Sequence, residues 1–242
     1  MLEMKNITAG YGETMILRNI SLDFPKGTVT AILGPNGCGK STLLKAEAGI
    51  LHIAAGEISV PQPRARHIAY LPQSRRLPEM TVRQLVLQGR YPWLGWPRRY
   101  GERDLALAEA AMARLGVAEY APRPLAELSG GMRQRCFLAM TLAQDPGVFL
   151  LDEPTSFLDP AHQLRLLELC RELAKEGKAV AAVLHDLPLA LRYADRAAVM
   201  QEGRLLAVDS PERLLESGIL EQVFGVKILG VDTPEGRSYV CI

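Results

Sequence analysis

The chain has 242 residues, of which 48% are hydrophobic and 23% are charged, and its formal net charge is +1. This length and balance suit one globular unit with a sizeable core and argue against a disordered chain. A net charge so close to zero disfavours a nucleic-acid partner, because it offers no broad positive field for phosphate backbones.

The sequence also lacks the marks of a spanning or secreted chain. No apolar run approaches the ~20 residues that a membrane helix needs, and the opening MLEMKNITAG has a glutamate but no apolar core. The four cysteines are far apart and form no CxxC pair, as is typical of reduced thiols. We therefore expect a soluble protein that reaches a membrane only through a partner.

Strands and helices alternate along much of the chain. The segment 19–24 alternates apolar and polar residues, and 28–33 is predicted to be a buried strand that leads into a glycine-rich loop and a helix. Short apolar strands follow at 148–152 and from 179 onward, each ending in polar residues. This order predicts an α/β fold with a mainly parallel sheet, preceded by antiparallel N-terminal strands.

A helical lobe is predicted within the single domain formed by residues 1–242. Helical spacing appears at 81–89 and 103–116, and a further helix is expected from about Gly130 to Ala143. The proline- and aromatic-rich insert at 90–102 favours no regular element. We assign about 74–145 to the inserted lobe, with about 1–73 and 146–242 forming the core and its β subdomain. The C-terminal segment is expected to close as a hairpin around Thr233, Pro234, Glu235 and Gly236.

The segment GPNGCGKST at 34–42 matches the phosphate-loop pattern G-x-x-x-x-G-K-[ST] in the required place, between a strand and a helix. Its glycines allow backbone amides to point at phosphate oxygens, and the helix N-terminus adds a positive dipole end. Lys40 is expected to reach the β- and γ-phosphates, and the Ser41 hydroxyl to bind magnesium. The predicted nucleotide-binding residues of this loop are Gly34, Pro35, Asn36, Gly37, Cys38, Gly39, Lys40, Ser41 and Thr42.

Two acidic residues, Asp152 and Glu153, end the apolar strand 148–152. Ligands of open α/β sheets bind at such strand ends. Asp152 is expected to hold magnesium, directly or through water, and Glu153 to act as the general base on the attacking water. No N-K-x-D segment for guanine recognition is present, which argues against a GTPase.

The segment LSGGMRQR at 128–135 completes a set of motifs that carries a family resemblance. Tyr11, Gln73 in AYLPQ, LSGG, LLDEP, SFLD at 156–159 and His185 in VLHD occur in that order. Together they resemble the ATP-binding-cassette ATPases over essentially the whole chain. The resemblance implies the fold of that family, a phosphate-loop core with an inserted helical lobe, and ATP with magnesium as ligands.

The resemblance also implies roles for single residues. Tyr11 would stack on adenine, although a structural strand-end tyrosine is the alternative. Gln73 would touch magnesium or the attacking water and transmit the nucleotide state to the helical lobe. His185 would contact the γ-phosphate and position the water. These roles, with Glu153 as the base, describe an enzyme that hydrolyses ATP; a switch that only binds ATP is the weaker alternative.

In this family each ATP lies between one chain's phosphate loop and the other chain's signature. The resemblance therefore implies a homodimer in which Ser129, Gly130 and Gly131 contact the γ-phosphate held by a second copy. Asp159 would cross the dimer interface. One departure is Met132, which stands where the commonest signature has glutamine and puts any contact from that side chain in doubt.

Several longer segments look closest to the ATPase subunits of iron-siderophore, haem or cobalamin importers. That likeness implies two membrane permease subunits, an indirectly coupled substrate-binding protein and a peripheral position on the cytoplasmic face of the inner membrane. Arg90, Tyr91 and Trp93 are expected to contact the permease, with packing inside the helical lobe as the alternative for the tryptophan. The competing function is a soluble cassette ATPase of DNA repair, translation or cluster assembly.

Overall fold

A mostly parallel sheet forms the centre of the computed structural model, which describes residues 2–74, 77–234 and 236–242. The strands are β1 (Leu2–Tyr11), β2 (Thr14–Phe24), β3 (Val29–Leu33), β4 (Ile53–Ser59), β5 (Ile68–Leu71), β6 (Val148–Asp152), β7 (Ala179–Val183), β8 (Arg196–Gln201), β9 (Arg204–Asp209), β10 (Ile228–Thr233) and β11 (Gly236–Cys241). The helices are α1 (Lys40–Glu47), α2 (Arg64–His67), α3 (Val82–Gln88), α4 (Glu102–Arg114), α5 (Gly130–Ala143), α6 (Pro160–Lys175), α7 (Leu187–Tyr193), α8 (Pro211–Glu216) and α9 (Ile219–Phe224). None of the helices within the described residues is long and apolar enough to cross a membrane.

The strand order of the central sheet places the candidate site. Among the described residues, the sheet runs β5-β6-β7-β3-β8-β9, with parallel pairing from β5 to β8 and antiparallel pairing of β8 with β9. A separate antiparallel sheet has the order β2-β1-β4. The prediction of an α/β fold with a mainly parallel sheet and antiparallel N-terminal strands is thus confirmed.

Both faces of the central sheet are buried, because alternate residues of its strands enter two different apolar clusters. In β6, Phe149 and Leu151 belong to the cluster that includes the helices α3 to α7. Val148 and Leu150 belong to the cluster formed with α1 and the N-terminal sheet. The continuous apolar run at 148–152 is explained by this burial on both sides.

The segment predicted to be helical contains α3, α4 and α5. α3 begins with a capping box in which the Thr81 side chain accepts a hydrogen bond from the Gln84 amide. α5 begins after Ser129 and extends over 130–143 as expected. The insert at 90–102 differs from the expectation, since Tyr91–Trp93 forms one short 3₁₀ turn, which Pro92 favours by fixing its φ angle.

The C-terminal segment pairs β10 with β11 as an antiparallel hairpin that packs on α7. The hairpin expected from the sequence is confirmed, and Glu235 at its turn lies outside the described residues.

Candidate nucleotide-binding and catalytic site

The phosphate loop lies between the end of β3 and the start of α1, and its backbone requires glycine. Gly34 has φ 153°, and an added Cβ would clash with the Met200 carbonyl oxygen and lie 2.7 Å from the Cys38 sulfur. Gly37 has φ 77°, in the left-handed region that other residues rarely adopt. The loop therefore keeps its amides free of side-chain obstruction, as anion binding at a helix N-terminus requires.

The Lys40 side chain is fixed against this loop by hydrogen bonds from its ammonium group. The Nζ atom donates hydrogen bonds to the carbonyl oxygens of Gly34, at 2.7 Å, and of Pro35, at 3.0 Å. The side chain is buried at 6% exposure. A buried ammonium beside inward-facing amides gives the loop a concentrated positive charge, which suits a polyphosphate.

Asp152 lies at the end of β6 and is surrounded by hydroxyl donors. Ser41 Oγ donates to Oδ1 at 2.9 Å, and Tyr70 Oη donates to Oδ2 at 3.1 Å. Burial raises the pKa of this carboxyl group, although the two hydroxyl groups act in the opposite direction. A buried carboxylate beside a serine hydroxyl is an oxygen donor set that suits a divalent cation such as magnesium, whose charge would favour the ionised form.

The Glu153 side chain, after β6, contacts side chains that follow the two neighbouring strands β5 and β7. Gln73, after β5, donates through Nε2 to Glu153 Oε2 at 2.6 Å. His185, after β7, has Nε2 at 2.6 Å from Glu153 Oε1. Glu153 itself has φ 50°, a left-handed conformation that is uncommon for non-glycine residues and that recurs at active sites. The parallel order β5-β6-β7 thus brings the three predicted catalytic residues together.

These residues open into one cleft of about 490 Å³, a size that accommodates a small ligand. The residues lining it are Tyr11, Ile16, Asn36, Gly37, Gly39, Lys40, Ser41, Thr42, Gln73, Glu153 and His185. Tyr11 is half exposed at the end of β1, and Lys45 Nζ donates to its hydroxyl at 3.4 Å. An aromatic ring therefore lines the same cleft as the catalytic strand ends.

The signature residues Ser129, Gly130 and Gly131 lie at the start of α5. Ser129 caps α5, and its hydroxyl accepts a hydrogen bond from the Met132 amide at 3.3 Å. Ser129 and Gly130 are exposed and Gly131 is half-buried, and in the described part of the chain none of the three lines the nucleotide cleft. The Met132 amide that completes this cap comes from the backbone, so the departure at this position leaves the cap intact.

Asp159 is exposed at the N-terminus of α6. Its carboxylate accepts a hydrogen bond from the His162 amide at 3.0 Å, and its Oδ2 lies 2.7 Å from His162 Nδ1. Like the signature, Asp159 does not line the cleft among the described residues.

The expected permease contacts divide into one buried and two exposed side chains. Arg90 is 3% exposed, forms an ion pair with Asp104 at 2.9 Å, and donates to two carbonyl oxygens at the end of α5. The prediction that the Arg90 side chain contacts the permease is therefore wrong, because that side chain is buried and its donors are used by Asp104 and by the carbonyl oxygens at the end of α5. Tyr91 and Trp93 remain 43% and 37% exposed, although Trp93 Nε1 donates to the Gln144 carbonyl oxygen.

Three further residues belong to the site and were not predicted from the sequence. Tyr70 contacts Asp152, Lys45 contacts Tyr11, and His162 contacts Asp159. Tyr70 lies within the AYLPQ motif, and Lys45 lies four residues after Ser41 on α1. Their closeness in sequence to predicted site residues could therefore have indicated both. His162 has the spacing of a residue that folds back on a helix cap, three positions after the cap residue.

The fold and the site together define a phosphate-loop nucleoside triphosphatase, since the loop and a candidate base line one cleft and Ser41 of that loop donates to the candidate metal carboxylate Asp152. A family model described as ABC transporter matches residues 17–156. The chain therefore belongs to the ABC transporter family, as one of its ATP-binding, ATP-hydrolysing subunits.

Relatives with established names cover nearly the whole chain. The petrobactin import ATP-binding protein FpuD of Bacillus anthracis is 43% identical over 100% of this chain and 92% of its own length. The hemin import ATP-binding protein HmuV of Streptomyces coelicolor is also 43% identical, over 88% of this chain and 79% of its own length.

Solved structures agree with the fold. A chain of a metal-chelate type ABC transporter in an inward-facing conformation superimposes with a TM-score of 0.86 at 28% identity, covering 100% of this chain and 97% of that chain. The dimeric structure of a bacterial ABC transporter cassette gives a TM-score of 0.78 at 27% identity, covering 87% and 99%.

Proposed function

We propose that this chain hydrolyses ATP, with magnesium, to energise a membrane importer of iron-siderophore, haem or cobalamin complexes. The observation that carries the catalytic part is the contact of Glu153 with both Gln73 and His185 at 2.6 Å, in the same cleft as the phosphate loop. The names of the relatives, which are import proteins for a siderophore and for hemin, support the transport part.

Ser41 and Asp152 are the residues that would hold magnesium. Their oxygen atoms are 2.9 Å apart, and the carboxylate is buried, so a cation would compensate its desolvated charge. A bound magnesium ion would neutralise charge on the phosphate oxygens. Gln73, which donates to the neighbouring Glu153, would contact the ion or the attacking water.

Glu153 is proposed as the general base, because its carboxylate faces the cleft and its neighbours can fix its orientation. Gln73 and His185 contact different oxygens of the carboxylate, which restricts its rotation. His185 would then exchange this contact for one with the γ-phosphate when ATP is present. Tyr11, which lines the same cleft, would stack on adenine, with Lys45 donating a hydrogen bond to its hydroxyl.

A second copy of this chain is proposed to complete each site. Ser129, Gly130 and Gly131 form an accessible helix N-terminus, and among the described residues none of the three lines the same chain's nucleotide cleft. Two copies in antiparallel arrangement would pair each signature with the partner's phosphate loop, and Asp159 would cross the interface. The similar bacterial cassette that was solved as a dimer supports this arrangement.

Two permease subunits are the proposed membrane partners, with a substrate-binding protein coupled through them and no nucleic acid involved. This would place the chain peripherally on the cytoplasmic face of the inner membrane. Tyr91 and Trp93 are the proposed contact residues, since exposed aromatic side chains are enriched at protein interfaces. Residues 74–145 would then act as the lobe that links the permease to Gln73, between core segments 1–73 and 146–242.

The decisive experiment replaces Glu153 with glutamine, which keeps the size of the side chain but cannot accept the proton. We expect ATP hydrolysis to fall by about 100-fold or more, while ATP binding persists and the chain elutes as an ATP-dependent dimer. Steady-state phosphate release and size-exclusion chromatography with and without ATP measure the two effects. Normal hydrolysis by this variant would show that another group is the base.

A further inference from the structure

Within the described residues, the candidate metal carboxylate Asp152 accepts a hydrogen bond from the Tyr70 hydroxyl as well as from Ser41. We propose that Tyr70 is a positioning residue for the magnesium site: its hydroxyl fixes Asp152 Oδ2 so that Oδ1 stays directed toward Ser41 and the ion. The inference rests on the proposed role of Asp152 as a metal-holding residue.

The sheet register explains how Tyr70 reaches Asp152. β5 and β6 are parallel neighbours, and Tyr70 is level with Leu150. Side chains of a strand alternate between faces, so Leu150 and Asp152 point to the same face. That face packs against α1, whose first residues include Ser41, and the Tyr70 ring packs against the same apolar cluster. The phenol therefore lies diagonally beside Asp152 on the α1 side of the sheet.

Burial makes this hydroxyl important to the carboxylate. Asp152 is 1% exposed, so water has little access to its oxygens. Ser41 donates to Oδ1 and Tyr70 donates to Oδ2, and each oxygen thus receives a hydroxyl proton from a different direction. Buried carboxylates need such donors, because an oxygen without one keeps its full desolvation penalty.

A bound metal ion would affect the hydrogen bond from Ser41 to Asp152 differently from the one from Tyr70. Ser41 is itself a proposed magnesium ligand, so its bond to Oδ1 would be rearranged when the ion binds. The bond from Tyr70 to Oδ2 lies on the other carboxylate oxygen and would persist. Residues that hold a metal ligand in this way typically account for about 10–100-fold in metal affinity.

The test is Tyr70→Phe in the full-length chain, which removes one oxygen atom and keeps the ring that packs in the cluster. Mn²⁺ serves as the probe, because its unbound fraction is counted by electron paramagnetic resonance with a non-hydrolysable ATP analogue present. We expect Y70F to bind Mn²⁺ about 10-fold more weakly than the wild type. Affinity for the analogue in EDTA should be unchanged.

The matched control is Tyr239→Phe, since Tyr239 Oη also donates to a carboxylate, Glu212 Oε1 at 3.2 Å, but on the C-terminal hairpin. This variant should bind Mn²⁺ like the wild type. Wild-type Mn²⁺ affinity in Y70F, or an equal loss of analogue affinity in EDTA, would overturn the positioning role.

Asp152→Asn, measured in parallel, separates this inference from the proposed function. A large loss of Mn²⁺ affinity in D152N with none in Y70F would refute Tyr70 alone. Unchanged Mn²⁺ affinity in D152N would refute the metal role of Asp152, and with it both proposals.

Discussion

Two buried carboxylates near the phosphate loop have very different surroundings. Asp152 receives hydrogen bonds from two hydroxyl groups. Glu47, at the end of α1, is fully buried, and neither of its carboxylate oxygens has a hydrogen-bond partner among the described residues. Burial raises the pKa of Glu47 well above its ordinary value, while the charge of Arg64 acts in the opposite direction. Glu47 therefore lies in the folded chain as a neutral acid over a wider pH range than in the unfolded chain.

The pH dependence of stability follows from this difference. A folded-state pKa above the unfolded value means that the unfolded chain loses the Glu47 proton first as the pH rises. The free energy of unfolding should therefore fall as the pH rises above about 4.5, through the window that ends at the folded-state pKa. This contribution to stability is fully present only below the unfolded pKa.

Replacing Glu47 with leucine should remove this pH-dependent loss. We expect E47L to raise the free energy of unfolding by about 1–3 kcal/mol at pH 8, the cost of an unsatisfied buried polar group, and by less at pH 5. Urea unfolding of both proteins at the two pH values measures the difference. The same gain at both pH values would mean that ionisation of Glu47 is not involved.

At the scale of elements, the Arg90 side chain links α3, α4 and α5 through one ion pair and two hydrogen bonds. It follows α3, pairs with Asp104 in α4, and donates to the carbonyl oxygens of Ala143 and Gln144 at the end of α5. Basic groups at a helix C-terminus satisfy carbonyls that have no partner within the helix. The position of the short aromatic turn that begins at Tyr91 thus depends on Arg90, although the Arg90 side chain is hidden from any partner.

Arg90→Met should be much more damaging than an equivalent change at the surface. Breaking a buried ion pair on one side costs up to about 3–5 kcal/mol, and here the change would leave the partly buried Asp104 and two α5 carbonyl oxygens without their donor. Arg83→Met is the control: Arg83 pairs with Glu109 at the same 2.9 Å, but both side chains are more than half exposed. Its loss should cost at most about 1 kcal/mol. Equal losses in the two urea titrations would contradict the role given to Arg90.

Much of this architecture could be predicted because it depends on neighbours in sequence. The helix predicted over 130–143 is confirmed, since its cap and its apolar spacing are local features. The meeting of Gln73, Glu153 and His185 also follows from the sequence, because parallel strands bring their carboxyl ends to one edge.

The contacts that sequence could not supply join distant segments. Tyr70 and Asp152 are 82 residues apart, and their contact depends on β5 lying next to β6. The burial of Arg90 depends on α5, which ends more than 50 residues later. The burial of Glu47 could not be predicted either, because a charged residue on a helix normally faces solvent, whereas α1 here packs between the central sheet and the N-terminal sheet.

At the scale of the whole molecule, the proposed dimer would make the cleft and the signature separate half-sites of one reaction. Within the described residues the cleft is lined by the phosphate loop, whose Ser41 donates to the candidate metal carboxylate Asp152, and by the candidate base Glu153, but none of Ser129, Gly130 and Gly131 lines it. A twofold-symmetric dimer would supply the missing half to both copies at once. Damage to the loop and damage to the signature should therefore be complementary when they lie on different chains.

Mixing two inactive variants tests this directly. Lys40→Ala should abolish tight ATP binding, because it removes the buried ammonium from the loop. Ser129→Arg should leave ATP binding by the single chain nearly intact and abolish turnover, because it blocks the helix N-terminus. A mixed dimer has one site made of the intact loop of S129R and the intact signature of K40A. Random pairing in an equal mixture should then restore about a quarter of the wild-type rate, since half of the dimers have one working site.

The controls use the same two chains. Each variant alone should stay inactive at every concentration, because each homodimer repeats its own defect in both sites. Adding Glu153→Gln to the S129R chain should remove the recovered activity, since that chain supplies the only working base. Adding it to the K40A chain should change nothing. A mixture that stays inactive although both variants are folded and S129R binds ATP would mean that the site is completed within one chain, and the sandwich arrangement would have to be abandoned.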